Sequence, residues 1–117
     1  MPSSVAAVRM RCRERAAALG AREDTIDAVA IAVSEAVSNA VIHAYAGVAD
    51  GVIDLQISGA EDALEIVVRD TGPGLGHARS PGGLGQGLLI IEQLTDTLRV
   101  TTAKDGGTSV LMRFCLP

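Results

Sequence analysis

One long helical pattern constrains this chain more than any other feature of its sequence. Between about residues 24 and 45, apolar residues recur every three or four positions, which predicts one amphipathic helix. The stripe consists of Ile26, Val29, Ala30, Val33, Val37, Ala40, Val41 and Ala44. Because such a helix must bury its apolar face, the rest of the chain has to supply a surface for it to cover.

Two shorter helices are also predicted. A serine at position 3 or 4 can cap a first helix that runs to about Leu19, with Gly20 as its stop signal. The apolar stripe of that helix is Val5, Val8, Cys12, Ala16 and Leu19. A third helix is expected from Leu88 to about Thr97.

Four strands are expected, in two hairpins. The first hairpin covers residues 51–59 and 63–70, and the second covers residues 97–104 and 108–116 around a Gly-Gly turn. A loop rich in glycine is expected over residues 71–87. The order α-α-β-β-loop-α-β-β predicts an α+β fold. It is a two-layer sandwich, with helices on one face of a mostly antiparallel or mixed sheet.

Composition narrows the class of protein. The chain has 117 residues, which suits a single domain over residues 1–117. Its net charge of −4 indicates no overall basic surface, which argues against direct nucleic-acid binding. Two cysteines make neither a disulfide framework nor a metal cluster. No apolar run approaches the ~18 residues of a membrane span, so we expect no membrane contact. The two cysteines are expected to be buried or free thiols in a reducing cytosol, so we expect a cytoplasmic protein.

A polar pair interrupts the long apolar helix. Glu35 and Asn39 are four residues apart and therefore lie on one face, one turn from each other. An amide oxygen can ligate a hard cation such as Mg²⁺, and a carboxylate can accept a proton from an attacking hydroxyl. The alternative is a solvated patch on an amphipathic helix.

A second motif, Arg-Asp-Thr-Gly-Pro-Gly, ends the first hairpin. Asp70 closes the strand, and Gly72 and Gly74 follow it. A buried carboxylate at this point can accept a hydrogen bond from the amino group of a purine, and glycines let the backbone approach a flat ring. The alternative is an ordinary tight turn.

A third motif is a glycine run before the third helix. It contains Gly82, Gly83, Gly85 and Gly87. Backbone N–H groups at a helix start attract phosphates, and glycines leave those groups uncovered. Because no strand directly precedes the run and it lacks the lysine of a Walker A loop, it is neither a Rossmann nor a P-loop motif.

In this order, and followed by Gly107-Thr108, the three motifs resemble the GHKL ATP-binding superfamily (the Bergerat fold), which includes gyrase, MutL and histidine kinases. The stretch around Glu35 is most similar to bacterial anti-sigma-factor serine kinases. The resemblance extends from about Ser4 to Phe114. Members of the family usually begin with a strand for which this chain has no counterpart. That would leave a sheet edge open and allows a homodimer.

The resemblance implies roles for the polar helix pair and for one arginine. Asn39 would ligate the Mg²⁺ that bridges the ATP phosphates. Glu35 would be the general base for a serine hydroxyl on a partner protein. Arg9, on the first helix, would contact a sigma factor.

It also implies how the nucleotide is held. Asp70 would bind the adenine amino group, with Thr108 sharing a water, while Gly72 and Gly74 would shape the adenine pocket. The residues expected to form the lid and the phosphate-binding helix start are Gly83, Gly85 and Gly87.

The function implied is that of an anti-sigma factor with ATP-dependent serine kinase activity. It would sequester a sigma factor and phosphorylate an antagonist protein. Three alternatives stay open at this point: a non-catalytic ATP-binding module, a histidine-kinase catalytic domain and a fragment of an ATP-hydrolysing motor. Glu35 argues against the first, the lack of a preceding dimerisation segment argues against the second, and the short lid argues against the third.

Overall fold

Within the described residues, three helices and four strands follow one another in the predicted order. The computed structural model describes residues 2–44, 53–60, 62–70, 81–102 and 107–116. The elements are α1 (Pro2–Ala18), α2 (Glu23–Ala44), β1 (Ile53–Ala60), β2 (Ala63–Asp70), α3 (Pro81–Leu94), β3 (Thr97–Thr102) and β4 (Thr108–Cys115). None of the helices in these ranges is long and apolar enough to cross a membrane.

The turn between α1 and α2 has a specific backbone cause. Gly20 has φ +87°, the left-handed conformation that glycine adopts without steric cost. The Gly20 N–H donates to the Ala17 carbonyl at 3.0 Å, and the Ala21 N–H donates to the Ala16 carbonyl at 3.0 Å. These two bonds form a Schellman motif, which satisfies carbonyls at the end of α1. The sequence-based stop signal at Gly20 is therefore confirmed.

The sheet has the order β1-β2-β4-β3, and all three strand pairings are antiparallel. In β2, Leu64, Ile66 and Val68 alternate onto one buried face. Their cross-strand neighbours on β4 include Met112 and Phe114, which are also buried. This face of the sheet packs against the helices, as the two-layer prediction requires.

The long helix α2 lies at the centre of the helical layer. It packs against α1, α3 and the sheet. The predicted stripe residues Val29, Val33 and Val37 are buried, but so are Ala32 and Ala36, which the stripe did not include. Helices on both flanks of α2 explain the difference, because they cover more of its circumference than a single sheet would.

The third helix is longer at its start than predicted. It begins at Pro81 rather than Leu88 and ends at Leu94 rather than near Thr97. The prediction of a loop up to Gly87 was therefore wrong for residues 81–87. Proline is favoured in the first turn of a helix because its φ is preset and its missing N–H would have no intrahelical partner there.

Candidate functional site

The polar pair of α2 lies beside the buried face of the helix. Glu35 and Asn39 are both partly buried, and each directly precedes a buried alanine of the same helix, Ala36 or Ala40. The Asn39 Nδ2 atom is buried, and it has no hydrogen-bond acceptor among the described residues. Leaving a buried polar group unpaired costs about 1–3 kcal/mol. Asn39 therefore has the environment of a side chain whose polar contacts a ligand completes.

Asp70 and Thr108 lie next to each other at one end of the sheet. They are directly opposite in the β2–β4 pairing, so their side chains share one face, which is the face that the helices cover. Each is only 7% exposed. Asp70 and Thr108 are 38 residues apart in sequence, and the antiparallel register of β2 against β4 brings them together.

A cavity forms where the ends of several elements meet, and its lining shows which of those ends lie close together. It has a volume of about 260 Å³, and its lining includes Asp24 near the start of α2, Leu94 at the end of α3 and Cys115 at the end of β4. Asn39 lies ~22 Å along α2 from Asp24 at 1.5 Å per residue. Thr108 lies ~23 Å along β4 from Cys115. Both therefore lie toward the end of the domain opposite the cavity.

The same argument orients α3. Its last residue, Leu94, lines the cavity, and its first residue, Pro81, lies ~20 Å away along the helix. Those first residues contain the predicted phosphate-binding glycines, namely Gly83, Gly85 and Gly87. A helix N-terminus presents free N–H groups and the positive end of its dipole to an anion.

Two of the predicted site residues follow β2 in the sequence. Gly72 and Gly74 lie outside the described residues. The candidate site thus has three described components, namely the polar α2 pair, the buried Asp70–Thr108 pair and the start of α3.

Arg9 lies on the surface of α1, beside α2. Its Nη1 atom donates to the Ser34 hydroxyl at 3.5 Å, and the Ser34 hydroxyl donates to the Ala30 carbonyl at 2.8 Å. Ser34 directly precedes Glu35 in α2. The sequence analysis did not identify Ser34, since its contact with Arg9 depends on how two helices pack.

The cation site expected from the sequence can be tested against the residues present. Among the described residues there is no group of three or more His, Cys, Asp or Glu side chains that could hold a metal by themselves. A single amide such as Asn39 fits a different arrangement, in which Mg²⁺ keeps several waters and takes its other oxygens from a nucleotide.

Comparison with known proteins identifies the family of the chain. The histidine kinase-like ATPase domain family matches residues 1–114. The chain is 37% identical over 93 residues to an anti-sigma F factor of Clostridium perfringens, covering 70% of this chain and 66% of that protein. It is 36% identical over 128 residues to the serine-protein kinase RsbW of Bacillus licheniformis, covering 95% of this chain and 78% of that protein.

A solved structure shows a similar fold. The histidine kinase domain of the blue-light activated histidine kinase EL346 from Erythrobacter litoralis superposes with a TM-score of 0.66 at 30% identity, covering 80% of this chain and 45% of that one. The chain spans about two thirds of the C. perfringens relative. With the family match over nearly its whole length, the chain belongs to the histidine kinase-like ATPase domain family, within the GHKL superfamily.

Proposed function

We propose that this chain is an ATP-dependent serine/threonine protein kinase and anti-sigma factor of the cytoplasm. It would phosphorylate an antagonist protein and sequester a sigma factor. One observation carries the proposal. The same domain carries a helix with a carboxylate and an unpaired buried amide, a buried acid at a strand end and a glycine-rich helix start. The names of the two curated relatives support the choice of partners.

Each component has a role in this proposal. Asp70 accepts a hydrogen bond from the adenine amino group, with Thr108 beside it. The N–H groups at the start of α3 bind the phosphates. Asn39 holds Mg²⁺, which neutralises phosphate charge when bound. Glu35, one turn from Asn39, accepts the proton of the serine hydroxyl.

The partner roles rest on different residues. Arg9 is exposed on α1, next to the helix that carries Glu35, which suits a contact with a sigma factor. The homodimer stays a prediction. In the described part of the sheet, β1 is an edge strand with β2 on only one side.

A non-catalytic ATP-binding module is the second candidate. It would need Asn39 and Asp70, but it would not need a base at position 35.

The test is incubation of the chain with labelled ATP and candidate antagonist proteins from the same genome, followed by mapping of phosphorylated residues. Phosphoserine or phosphothreonine on one antagonist is the expected result. Nucleotide binding without phosphotransfer to any of them would favour the second candidate.

Glu35→Gln separates binding from chemistry. The substitution keeps the side-chain shape and removes the base, so ATP affinity should stay within about twofold of the unchanged chain. Phosphotransfer should fall by ~10²–10⁴. Single-turnover transfer and calorimetry measure the two quantities, with Glu92→Gln on the exposed surface of α3 as the matched control. Transfer at the native rate would rule out Glu35 as the base.

A further inference from the structure

The cavity near the start of α2 is separate from the candidate kinase site. None of its lining residues belongs to that site, and Asp24, which lines it, lies ~22 Å along α2 from Asn39. Its volume is about 260 Å³. A cavity of ~150 Å³ is enough to bind benzene, so a small molecule can enter this one.

The buried part of the cavity lining is apolar. Ala28 on α2, Leu94 on α3 and Phe114 on β4 all line it. Phe114 is only 1% exposed, and the other two are partly buried. A ligand with a hydrocarbon body would lose contact with water against these side chains, which favours binding.

The exposed part of the lining is acidic. Asp24 and Asp96 both line the cavity and are exposed, and neither forms an ion pair within the described residues. The Cys115 N–H donates to Asp96 Oδ2 at 2.7 Å. This bond holds the Asp96 carboxylate at the cavity and leaves its second oxygen available to a ligand.

No cation of the protein balances these two carboxylates. The lining contains no lysine, arginine or histidine. Arg113, which precedes Phe114 on β4, lies 3.1 Å from Glu65 and is neutralised there. The positive dipole end of α2 is offset by Glu23 and Asp24 in its first turn.

The end of α3 adds negative potential to the cavity. Gln93 and Leu94 line the cavity and are the last two residues of this helix. Among the described residues, no backbone N–H donates to either of their carbonyls. A helix C-terminus carries partial negative charge and unpaired carbonyls, both of which favour a cation.

We propose that this cavity binds a small organic ammonium ion whose apolar body is about the size of benzene. The apolar body packs against Ala28, Leu94 and Phe114. The ammonium group, which has three donors and no acceptor, donates to the carboxylates of Asp24 and Asp96. The inference goes beyond the proposed function and does not depend on it, because neither ATP nor a partner protein takes part.

Benzylamine, which is protonated at pH 7, is the probe, and benzyl alcohol is its uncharged match. In an NMR titration of the full chain, the backbone amide signals of Ala28 and Cys115 should shift with benzylamine and reach saturation. Benzyl alcohol should bind at least about tenfold more weakly, because it lacks the charged donor. Equal affinities, or no saturable shift with benzylamine, would overturn the proposal.

The double variant Asp24→Asn/Asp96→Asn removes both charges and keeps the side-chain shapes. The amide oxygen at position 96 can still accept the Cys115 N–H. Benzylamine affinity should fall at least about tenfold, toward that of benzyl alcohol. Asp54→Asn, on the exposed side of β1, makes one such change away from the cavity and should leave the affinity within about twofold. Unchanged affinity in the double variant would contradict the role of the two acids.

Cys115 gives an independent readout, because it lines the cavity and is exposed. Saturating benzylamine should slow the alkylation of Cys115 by iodoacetamide, and benzyl alcohol at the same concentration should not. The protection should persist in saturating Mg-ATP, since the candidate nucleotide site shares no residue with the cavity. Loss of the protection on adding Mg-ATP would place the amine in the nucleotide site and refute the proposal.

Discussion

At the scale of single residues, buried polar groups mark the candidate site. Asp70 and Thr108 are the buried polar or charged residues in the described ranges, and they are cross-strand neighbours. Burying a carboxylate costs free energy unless other groups stabilise it. A hydrophobic pair at the same positions would stabilise the sheet more simply, which favours a functional reason for the acid.

Asp70→Asn should weaken ATP binding selectively. The variant keeps the shape but loses the charge of the acceptor, and a hydrogen bond to a charged group contributes ~1.5–3 kcal/mol. Affinity for ATP should therefore fall roughly 10- to 100-fold. Calorimetry with ATP and GTP measures the effect, and Asp54→Asn on the exposed side of β1 is the control. Equal affinity of the unchanged chain for both nucleotides would contradict the assignment of Asp70.

At the scale of elements, one glycine determines how α1 joins α2. The left-handed backbone at Gly20 lets the chain reverse within four residues, from Ala18 to Glu23. The reversal makes α1 and α2 antiparallel neighbours and so places Arg9 beside Ser34. The packing of α1 against α2 therefore depends on the conformation of this turn.

Gly20→Ala should destabilise the fold by about 1 kcal/mol, because a Cβ atom is unfavourable at positive φ. The added atom would meet no other atom within 4 Å, so the effect would come from the backbone alone. Gly59→Ala is the contrasting variant. Its φ is not positive, and its Cβ would meet the flexible Leu19 side chain at 3.2 Å. Urea denaturation compares the two, and an unchanged midpoint for Gly20→Ala would refute the prediction.

At the scale of the whole molecule, the two-layer architecture buries one of the two cysteines and leaves the other exposed. Cys12 is fully buried between α1 and the core, whereas Cys115, at the end of β4, is exposed. Burial raises the pKa of the Cys12 thiol from 9.0 to about 11, although the Arg11 charge lowers it in part. The folded state thus favours the neutral thiol. That contribution to stability is complete below pH 9.0 and is lost as the pH rises through about 11.

Iodoacetamide at pH 8 should therefore label Cys115 quickly and Cys12 only through unfolding. The thiolate fraction of Cys12 at that pH is about one in a thousand, and the reagent has no access to it in the folded state. Mass spectrometry over time should show one fast addition, and a second that becomes fast in denaturing urea. Cys12→Ala and Cys115→Ala identify the two sites. Equal labelling rates in the folded protein would contradict the burial of Cys12.

The sequence alone determined the features that depend on neighbours along the chain. The order of elements, the apolar stripe of α1, that of α2 as far as Ala40, the stop at Gly20 and the bounds of β2 follow from local periodicity and turn chemistry. The structure confirms them. The motifs around Glu35, Asn39 and Asp70 were also recognisable, because each is a short stretch of chain.

Tertiary structure decided what depends on packing between distant segments. The register of β2 against β4 places Asp70 opposite Thr108, and contacts on both flanks of α2 bury Ala32 in addition to Val29 and Val33 of the predicted stripe. Local sequence signals also did not predict the start of α3 at Pro81, since the glycine run there is typical of loops. Strand register and helix packing are set by the fit of surfaces far apart in sequence, and periodicity within one segment carries no information about that fit.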